Sequence, residues 1–426
     1  MTDGKKVIRK IAQWTVRVVF LAAALGLAVG GPVPAVLVRL FPGLSPLVAS
    51  ASSIAQRRWY LGLYWFAPPL AVLLLGLWKG RLFCRWMCPA GTVYAVGSKL
   101  SLKKRILKVR LNVYLFWIIV GASAAGAPLL LFLDPLSTFS RLTPLLTGTY
   151  TIASLVPGVL LPLLLLLGMV QPLIWCAQLC PLGYFLELCR SVRRRPRKTF
   201  ANSRRQILTG LLIGVPAGIA GRLLLFGKRS YGRAPVLPPG AEGIEAFAAS
   251  CTRCYACVDA CPYKLIRVGF DLDRAPGQYF QPEVHYLDSE SGVECGYCPE
   301  WCNACTQVCP AGALTPLTLD EKTRRQIGTA KVIREACLAW EDEEDCFVCQ
   351  EVCPYHAVEL QESPDGRSLP VVNPDLCRGC GACYSNCPAI RKGKALVIAG
   401  VERQRQLPAD GESGVARGEV GRGPAA

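Results

Sequence analysis

The sequence predicts an α-helical membrane domain, with four helices and a fifth anchor helix, followed by a cysteine-rich α+β domain. The 426-residue chain is 52% hydrophobic, more than is usual for a soluble protein, and the apolar excess lies before residue 230. Seventeen of its 22 cysteines lie between Cys251 and Cys387. The predicted domains are a membrane module at 1–200, an anchor segment and linker at 201–243, the cysteine-rich domain at 244–395 and a disordered tail at 396–426.

Four apolar stretches are each long enough to cross a bilayer, which takes about 20 residues in a helix. Basic residues fill the segments Lys5–Lys10, Lys79–Arg110 and Arg190–Arg205, and the positive-inside rule predicts that these segments are cytoplasmic. The net charge of +18 therefore reflects membrane topology, and nucleic-acid binding is not expected. The apolar stretches cover roughly 12–32, 59–78, 111–133 and 152–174.

A short element follows the second and the fourth apolar stretch: an aromatic residue, then Cys-x3-Cys-Pro-x-Gly. Its thiols are Cys84 and Cys88 in the first copy and Cys176 and Cys180 in the second, so the two copies form an internal repeat. The charge pattern places all four thiols at the cytoplasmic face. Three roles are open to them: holding one metal cluster together, acting as a dithiol relay, or serving as structural thiols beside a helix-ending proline.

The segment Ser203–Thr209 carries two adjacent arginines ahead of a modestly apolar stretch from Gly210 to Phe226. This order is typical of a twin-arginine export signal, here in the middle of the chain. The alternative is an ordinary fifth transmembrane helix with basic flanks. Both interpretations carry the chain outward, and no clear cleavage site follows, so we expect an uncleaved anchor with the cysteine-rich domain outside the cytoplasm.

The cysteine-rich domain contains four bursts of cysteines that end in Cys-Pro. The first burst, from Cys251, and the fourth, from Cys377, share the spacing Cys-x2-Cys-x2-Cys-x3-Cys-Pro. This is the ligand run of bacterial two-cluster ferredoxins, in which three thiolates hold one [4Fe–4S] cluster and the fourth reaches the partner cluster. Disulfide frameworks do not require this order, and zinc sites use paired Cys-x2-Cys knuckles. The domain is therefore predicted to be ferredoxin-like and to carry electrons.

Sixteen of the seventeen cysteines suffice for four [4Fe–4S] clusters, so one thiol of the second burst is spare. Cys295 is the alternative there to Cys298 or Cys302. In two-cluster ferredoxins, the last cysteine of each burst binds the cluster of the partner burst. We expect the first burst to be paired in this way with the fourth, and the second burst with the third. The predicted iron ligands are Cys251, Cys254, Cys257, Cys261, Cys298, Cys302, Cys305, Cys309, Cys337, Cys346, Cys349, Cys353, Cys377, Cys380, Cys383 and Cys387.

Asp134 ends the third apolar stretch on the outer side, with Arg141 shortly after it. A carboxyl group at a span boundary can accept a proton from a quinol, or it can be a helix-terminal interfacial charge. The two histidines of the chain, His285 and His356, both lie outside the apolar half, so a histidine-ligated membrane haem is not expected.

The helical repeat with its Cys84, Cys88, Cys176 and Cys180 thiols resembles the NapH-type membrane quinol dehydrogenase module of periplasmic nitrate reduction systems. The part from Ser203 onward to about residue 394 is similar to the NapG/MauM-type periplasmic polyferredoxins. The chain thus resembles a fusion of two usually separate subunits. It departs from the first type in lacking a cytoplasmic ferredoxin tail, and from the second in the extra cysteine of its second burst.

The resemblance implies a multi-pass protein of the bacterial inner membrane with its cluster domain in the periplasm. It would act as a quinol dehydrogenase component, taking electrons from the membrane quinol pool and delivering them to a periplasmic cytochrome or oxidoreductase. One alternative is a maturation or regulatory iron–sulfur protein for a periplasmic oxidoreductase. Another is a conduit from the cytosol through the CxxxCP thiols, which is less favoured because no mid-membrane cofactor is evident in the sequence.

Overall fold

In the computed structural model, the described residues form two compact units. Unit 1 comprises Met1–His285 with Asn303–Pro316, and unit 2 comprises Tyr286–Cys302 with Leu317–Ala426. The division runs through the cysteine-rich region and not at the predicted boundary near residue 244, so the first half of that region belongs with the helical part. The structure describes residues 3–29, 40–57, 62–101, 110–127, 131–141, 152–193, 204–225, 234–287, 295–389 and 391–408.

The first part of unit 1 is helical. Several of its helices begin at a proline in their first turn, where the missing N–H costs nothing. A short π-helical turn, Trp175–Leu179, precedes the second Cys-Pro pair. The helices are α1 Asp3–Val29, α2 Leu40–Gly43, α3 Pro46–Gln56, α4 Gly62–Lys79, α5 Leu82–Trp86, α6 Pro89–Gly97, α7 Leu111–Ala124, α8 Pro135–Ser140, α9 Ile152–Val170, α10 Pro181–Arg193 and α11 Arg204–Leu225.

Among the described helices, one segment, Arg205–Leu225 in α11, is both long and apolar enough to cross a bilayer. The apolar segments Ala67–Lys79, Leu111–Ala124 and Leu155–Val170 are shorter. Helix α7, for example, has 14 residues and is only about 21 Å long at 1.5 Å per residue. The predicted span at 111–133 is therefore not one continuous helix, because the chain leaves the helix after Ala124 and turns.

Two short helices that were not predicted, α3 and α8, pack into the helical core. Each begins at a polar cap, Ser45 for α3 and Asp134 for α8, and the two caps meet: the Ser45 hydroxyl donates to Asp134 Oδ1 at 2.7 Å. Leu136 of α8 is fully buried in the same apolar core as Phe83. Asp134 is therefore not at an outer interface, as expected, but buried inside the helical part.

Helix α11 packs along α7 through a stripe of glycines. Gly210, Gly214 and Gly218 are buried, while most residues between them are exposed and apolar. A Cβ atom at Gly214 would lie 2.7 Å from Cβ of Trp117, so no larger side chain fits without separating the helices. Small residues four apart are the common means of close packing between membrane helices. Helix α11 is thus an integral part of unit 1.

The cysteine-rich parts of the two units share one plan, in which a burst leads into a strand, a turn, a second strand and the next burst. In unit 1, β1 (Ile266–Val268) pairs antiparallel with β2 (Pro282–Val284) after the first burst. In unit 2, β4 (Val358–Glu362) pairs with β5 (Ser368–Val372) after the third burst. The short helices here are α12 Ile244–Ser250, α13 Ala256–Asp259, α14 Ala304–Gln307, α15 Leu319–Thr323, α16 Val348–Glu351 and α17 Ala382–Ser385.

The predicted disordered tail at 396–426 is wrong for its first part. Strand β6 (Leu396–Gln406) pairs antiparallel with β3 (Arg325–Val332), with Thr329 opposite Ala399. Its alternating burial places Leu396 and Ile398 in the core of unit 2, a pattern that the polar composition beyond residue 400 obscured. Residues 409–426, Ser203 of the twin-arginine pattern and residues 226–233 of the predicted linker lie outside the described residues.

Replacing Gly214 by leucine is expected to destabilise the protein by about 1–3 kcal/mol, because the larger side chain must force α11 away from Trp117. Thermal unfolding in detergent, followed by circular dichroism, measures the change. Ala217→Leu is the matched control, since Ala217 is exposed on α11 and should tolerate leucine. Equal melting temperatures for the two variants would contradict the packing described above.

Candidate iron–sulfur sites

In unit 2, four thiols from two bursts surround one cavity. Cys353, the last cysteine of the third burst, lies with Cys377, Cys380 and Cys383 of the fourth burst on the cavity wall. Each of the four thiols interacts electrostatically with the other three. The backbone supports two of them, because Ala330 N–H donates to Cys377 Sγ at 3.4 Å and Ala357 N–H donates to Cys353 Sγ at 3.3 Å.

A second cavity of unit 2 is lined by the complementary set of thiols. Cys337, Cys346 and Cys349 of the third burst meet Cys387, the last cysteine of the fourth. Cys349 interacts electrostatically with the other three thiols, and burial raises its pKa to about 12. The remaining wall is apolar and includes Leu396 of β6. The two bursts have therefore exchanged their last cysteines.

The predicted pairing of the bursts, outer with outer and inner with inner, is wrong. The structure pairs the third burst with the fourth, and the exchange of Cys353 and Cys387 shows it directly. The physical reason is local. The hairpin of β4 and β5 is joined by five residues, 363–367, so it returns the chain to the third burst just where the fourth begins. Spacing within a burst carries no information about this hairpin.

Unit 1 contains a third quartet of the same kind, formed by Cys251, Cys254, Cys257 and Cys309. Every pair among these four thiols interacts electrostatically. Burial raises the pKa of Cys251, Cys254 and Cys309 to about 11 in each case. The last cysteine of the second burst thus joins the first three of the first burst, which is the same exchange as in unit 2.

The second burst is divided between the two units. Cys295, Cys298 and Cys302 belong to unit 2, where Cys295 and Cys298 both interact electrostatically with Cys302. The Cys295 thiol also donates to the carbonyl oxygen of Tyr297 at 3.2 Å. Cys305 belongs to unit 1, near Cys257. The choice of the spare thiol among Cys295, Cys298 and Cys302 therefore stays open, as the sequence left it.

The four CxxxCP thiols come together inside the helical part of unit 1. All six pairs among Cys84, Cys88, Cys176 and Cys180 interact electrostatically. Cys88 and Cys180 are buried, and the other two pack against the same apolar core. The Asp134 carboxyl also lies within electrostatic range of Cys84, Cys88 and Cys180. The expectation that these thiols and Asp134 occupy opposite faces of the module is therefore wrong.

The two CxxxCP elements have matching backbone geometry. The N–H groups of Cys88 and Cys180 each reach back five residues, to the carbonyls of Phe83 and Trp175. The glycine of each element donates its N–H to the second thiol, Gly91 to Cys88 at 3.3 Å and Gly183 to its counterpart at 3.4 Å. A Cβ at Gly91 would lie 2.8 Å from the Cys84 carbonyl, which explains why glycine is needed there.

The two quartets of unit 2 suit a [4Fe–4S] cluster, because in each of them four thiols line one cavity. Among the residues that the structure describes, no group of three or more His, Cys, Asp or Glu side chains converges on one metal-ion position. In unit 2 the thiols instead stand around a cavity with an apolar wall. Burial keeps such thiols protonated, and iron binding displaces the protons, so occupancy and folding are coupled.

Asp134 has partners for both carboxylate oxygens. Oδ1 accepts from Ser45, and Oδ2 accepts from the N–H groups of Leu136 at 3.1 Å and Ser137 at 3.4 Å. The group is completely buried, and desolvation raises its pKa to about 6 despite these hydrogen bonds. It caps α8, and its burial disfavours the charged form. Sequence reasoning missed Ser45, although Ser-Pro before an apolar run is an N-cap signature.

Two family models match the chain. One, described as a 4Fe-4S dicluster domain, matches residues 250–313 and 344–390, so each match joins two neighbouring bursts. The other, described as a 4Fe-4S binding domain, matches residues 61–108 and 151–199, once at each CxxxCP element. The double match confirms the predicted internal repeat. No solved structure matches the chain.

The curated relatives are ferredoxin-type proteins. The methylamine utilization ferredoxin-type protein MauM of Methylophilus methylotrophus is 32% identical over 199 residues, which are 45% of this chain and 81% of the relative. The chain belongs to the ferredoxin-type 4Fe–4S protein family. Ferredoxin-type protein NapF of Escherichia coli (strain K12) is 32% identical over 167 residues, 39% of the chain and 88% of NapF. Ferredoxin-type protein NapG of Haemophilus influenzae is 30% identical over 209 residues, 46% and 72% respectively.

Loss of one exchanged cysteine of this ferredoxin-type protein should expose the thiols of the neighbouring burst and not its own. In Cys353→Ser, we expect Cys377, Cys380 and Cys383 to become alkylated by iodoacetamide, because their cluster loses a corner. Iron is expected to fall by up to about four atoms per chain. Peptide mass spectrometry measures the labelling. Cys387→Ser is the matched control and should expose Cys346 and its partners; the reverse pattern would contradict the exchange.

Proposed function

We propose that this ferredoxin-type protein is a membrane-anchored electron-transfer protein that passes electrons from membrane quinol to a periplasmic redox partner. The observation that carries the proposal is the series of thiol quartets, two in unit 2 and two in unit 1, of which one is built into the helical part. The relatives, a methylamine utilization ferredoxin-type protein and ferredoxin-type protein NapG, support a redox partner in an electron-transfer chain.

We assign four [4Fe–4S] clusters to the cysteine bursts and a fifth to the CxxxCP thiols. Three of the four burst sites follow from the quartets described above. Cys261 and Cys305 are the predicted ligands of the fourth site that lie in unit 1. The fifth assignment is supported by the 4Fe-4S binding model over both repeats and by the burial of the four thiols.

The chain's own contribution is to hold these sites at fixed places in a dry environment. A bound [4Fe–4S] cluster carries one electron at a time, whereas a quinol releases two, so several sites in series accommodate the difference. Burial and backbone N–H groups aimed at cysteine sulfurs set the environment of each site, as Ala330 and Gly91 do. The apolar walls exclude water from the thiolates.

Membrane anchoring is supported by α11 and the apolar helices around it. Helix α11 presents one small-residue face to α7 and an apolar face outward, with Leu212 and Leu224 strongly exposed. An exposed apolar face of this length suits lipid and not water. The basic segments of the sequence support a cytoplasmic N-terminus and a periplasmic cluster region, and Arg204–Arg205 at the start of α11 would lie on the cytoplasmic side.

We assign Asp134 as the group that accepts a quinol proton. Its pKa of about 6 places it near the working range of a general base, and it lies close to the CxxxCP thiols. Asp134→Asn keeps an oxygen for the α8 cap but removes the base, whereas Asp134→Ala removes both. We therefore expect Asp134→Asn to retain the melting temperature and to lose most quinol-driven cluster reduction in stopped-flow measurements.

Asp134→Ala serves as the matched variant for stability and is expected to lose about 1–2 kcal/mol, the usual value of an N-cap. Reduction of the clusters by dithionite should be normal in both variants, because it bypasses the quinol. If Asp134→Asn reduces its clusters from quinol at the wild-type rate, Asp134 is a structural cap and no more.

The proposed function predicts that menaquinol, mixed with purified protein in detergent, produces the EPR signals of reduced clusters. Failure of the wild-type protein to give these signals would remove quinol oxidation from the proposal. Metal analysis tests the site count: about 16 Fe per chain supports four clusters and about 20 supports five. Cys84→Ser and Cys176→Ser are each expected to lower the iron content and slow quinol-driven reduction.

A second candidate function is a conduit for electrons that arrive from the cytosol. The CxxxCP quartet favours it, because its four thiols, two buried and two partly buried, supply the redox site inside the helical part that such a route needs. Right-side-out and inverted vesicles, given a membrane-impermeant reductant, separate the two directions of entry. Reduction from the cytoplasmic side without quinol would support the conduit.

A further inference from the structure

The first ligand loop of the cysteine-rich region is bound directly to the end of helix α8. Arg141 is buried, and its guanidinium donates to the carbonyl oxygens of Arg253 at 2.8 Å and Thr252 at 3.1 Å. The Ser140 hydroxyl donates to the carbonyl of Cys254 at 2.8 Å. Three consecutive carbonyls of the loop between two cysteines are thus held by two neighbouring residues of the helical part.

Helix α3 makes a similar contact with the chain just beyond Cys309, the fourth cysteine of the same quartet. The Gln56 side chain, at its C-terminal end, donates to the carbonyl of Ala311 at 2.8 Å, two residues beyond Cys309. Both contacts lie within unit 1. The quartet formed by Cys251, Cys254, Cys257 and Cys309 is therefore seated on the C-terminal ends of two short helices.

The opposite ends of these helices lie near the CxxxCP quartet. The N-caps of α3 and α8, Ser45 and Asp134, are hydrogen-bonded to each other, and Asp134 is within electrostatic range of Cys84, Cys88 and Cys180. Helix α8 has six residues and is about 9 Å long. The length of α8 thus separates Asp134, near the CxxxCP quartet, from Arg141, which binds the ligand loop of the Cys251 quartet.

We propose that α3 and α8 act as a spacer that fixes the Cys251 quartet beside the CxxxCP quartet, with Arg141 as the positioning residue. This inference rests on the proposed function for its meaning: the Cys251 quartet is then the site of the cysteine-rich region that exchanges electrons with the helical part.

Arg141 also places a buried positive charge beside one quartet. A [4Fe–4S] cluster with four thiolates is anionic and becomes more negative on reduction, so a nearby cation favours the reduced form. Arginine keeps its charge when it is buried, and its planar fork suits two carbonyl acceptors. The charge of Arg141 and its hydrogen bonds therefore act on the same loop, between Cys251 and Cys254. Substitution of Arg141 by glutamine or by lysine separates the two effects.

EPR-monitored redox titration of the iron-loaded full chain tests the inference. In Arg141→Gln, the midpoint potential of one cluster should become more negative while the others keep theirs. In Arg141→Lys, the charge remains and most of that shift should be absent. Ser140→Ala, a milder change, should leave the potentials in place but slow the passage of electrons from quinol to the burst sites. The titration uses dithionite, so its outcome does not depend on quinol oxidation.

Arg378→Gln is the matched control. Arg378 is likewise buried, but it lies within a ligand loop of unit 2, between Cys377 and Cys380, and donates to the carbonyls of Thr323 at 3.1 Å and Pro408 at 2.8 Å. Its substitution should shift a different cluster. Unchanged potentials in Arg141→Gln, or a shift of the same cluster by both variants, would overturn the proposal. A wild-type protein that quinol fails to reduce would overturn the proposed function and leave the titration result standing.

Discussion

The structure depends on the need of each cluster for four thiolates from two separate parts of the chain. A thiol buried in an apolar wall is stable only when protonated or bound to metal, and no single burst supplies all four corners. In unit 2, Cys353 and Cys387 each supply the fourth thiol to the quartet of the other burst. In unit 1, Cys309 supplies the fourth thiol to the first burst. The short helices and hairpins between the bursts exist to bring these corners together.

Much of the chemistry could be predicted from the sequence, because the spacing of ligands within a burst is set by the size of the cluster. The first and fourth bursts identified the iron–sulfur sites without any structure. The pairing between bursts could not be predicted in this way. It depends on the turn between β4 and β5, which brings the fourth burst close to the third. Cysteine spacing does not predict such a turn.

The helical part shows a different limit. Residues 111–133 are continuously apolar, and composition alone cannot distinguish one long span from a helix, a turn and a second buried helix. Asp134 caps a buried helix, and its partner Ser45 lies 89 residues away in the sequence. The glycines at 210, 214 and 218 do indicate a packing face in the sequence, since a spacing of four places them on one side of a helix.

The path of the backbone between the two units has a consequence for any attempt to divide the protein. The chain passes from unit 1 to unit 2 after His285, returns at Asn303 and leaves again after Pro316. No single cut therefore releases either unit whole, and a fragment that begins at the first burst would lack the helical residues that hold its first ligand loop. The sequence motifs are separate along the chain, but the folded units are not. Neither unit can therefore be replaced by exchanging one continuous segment.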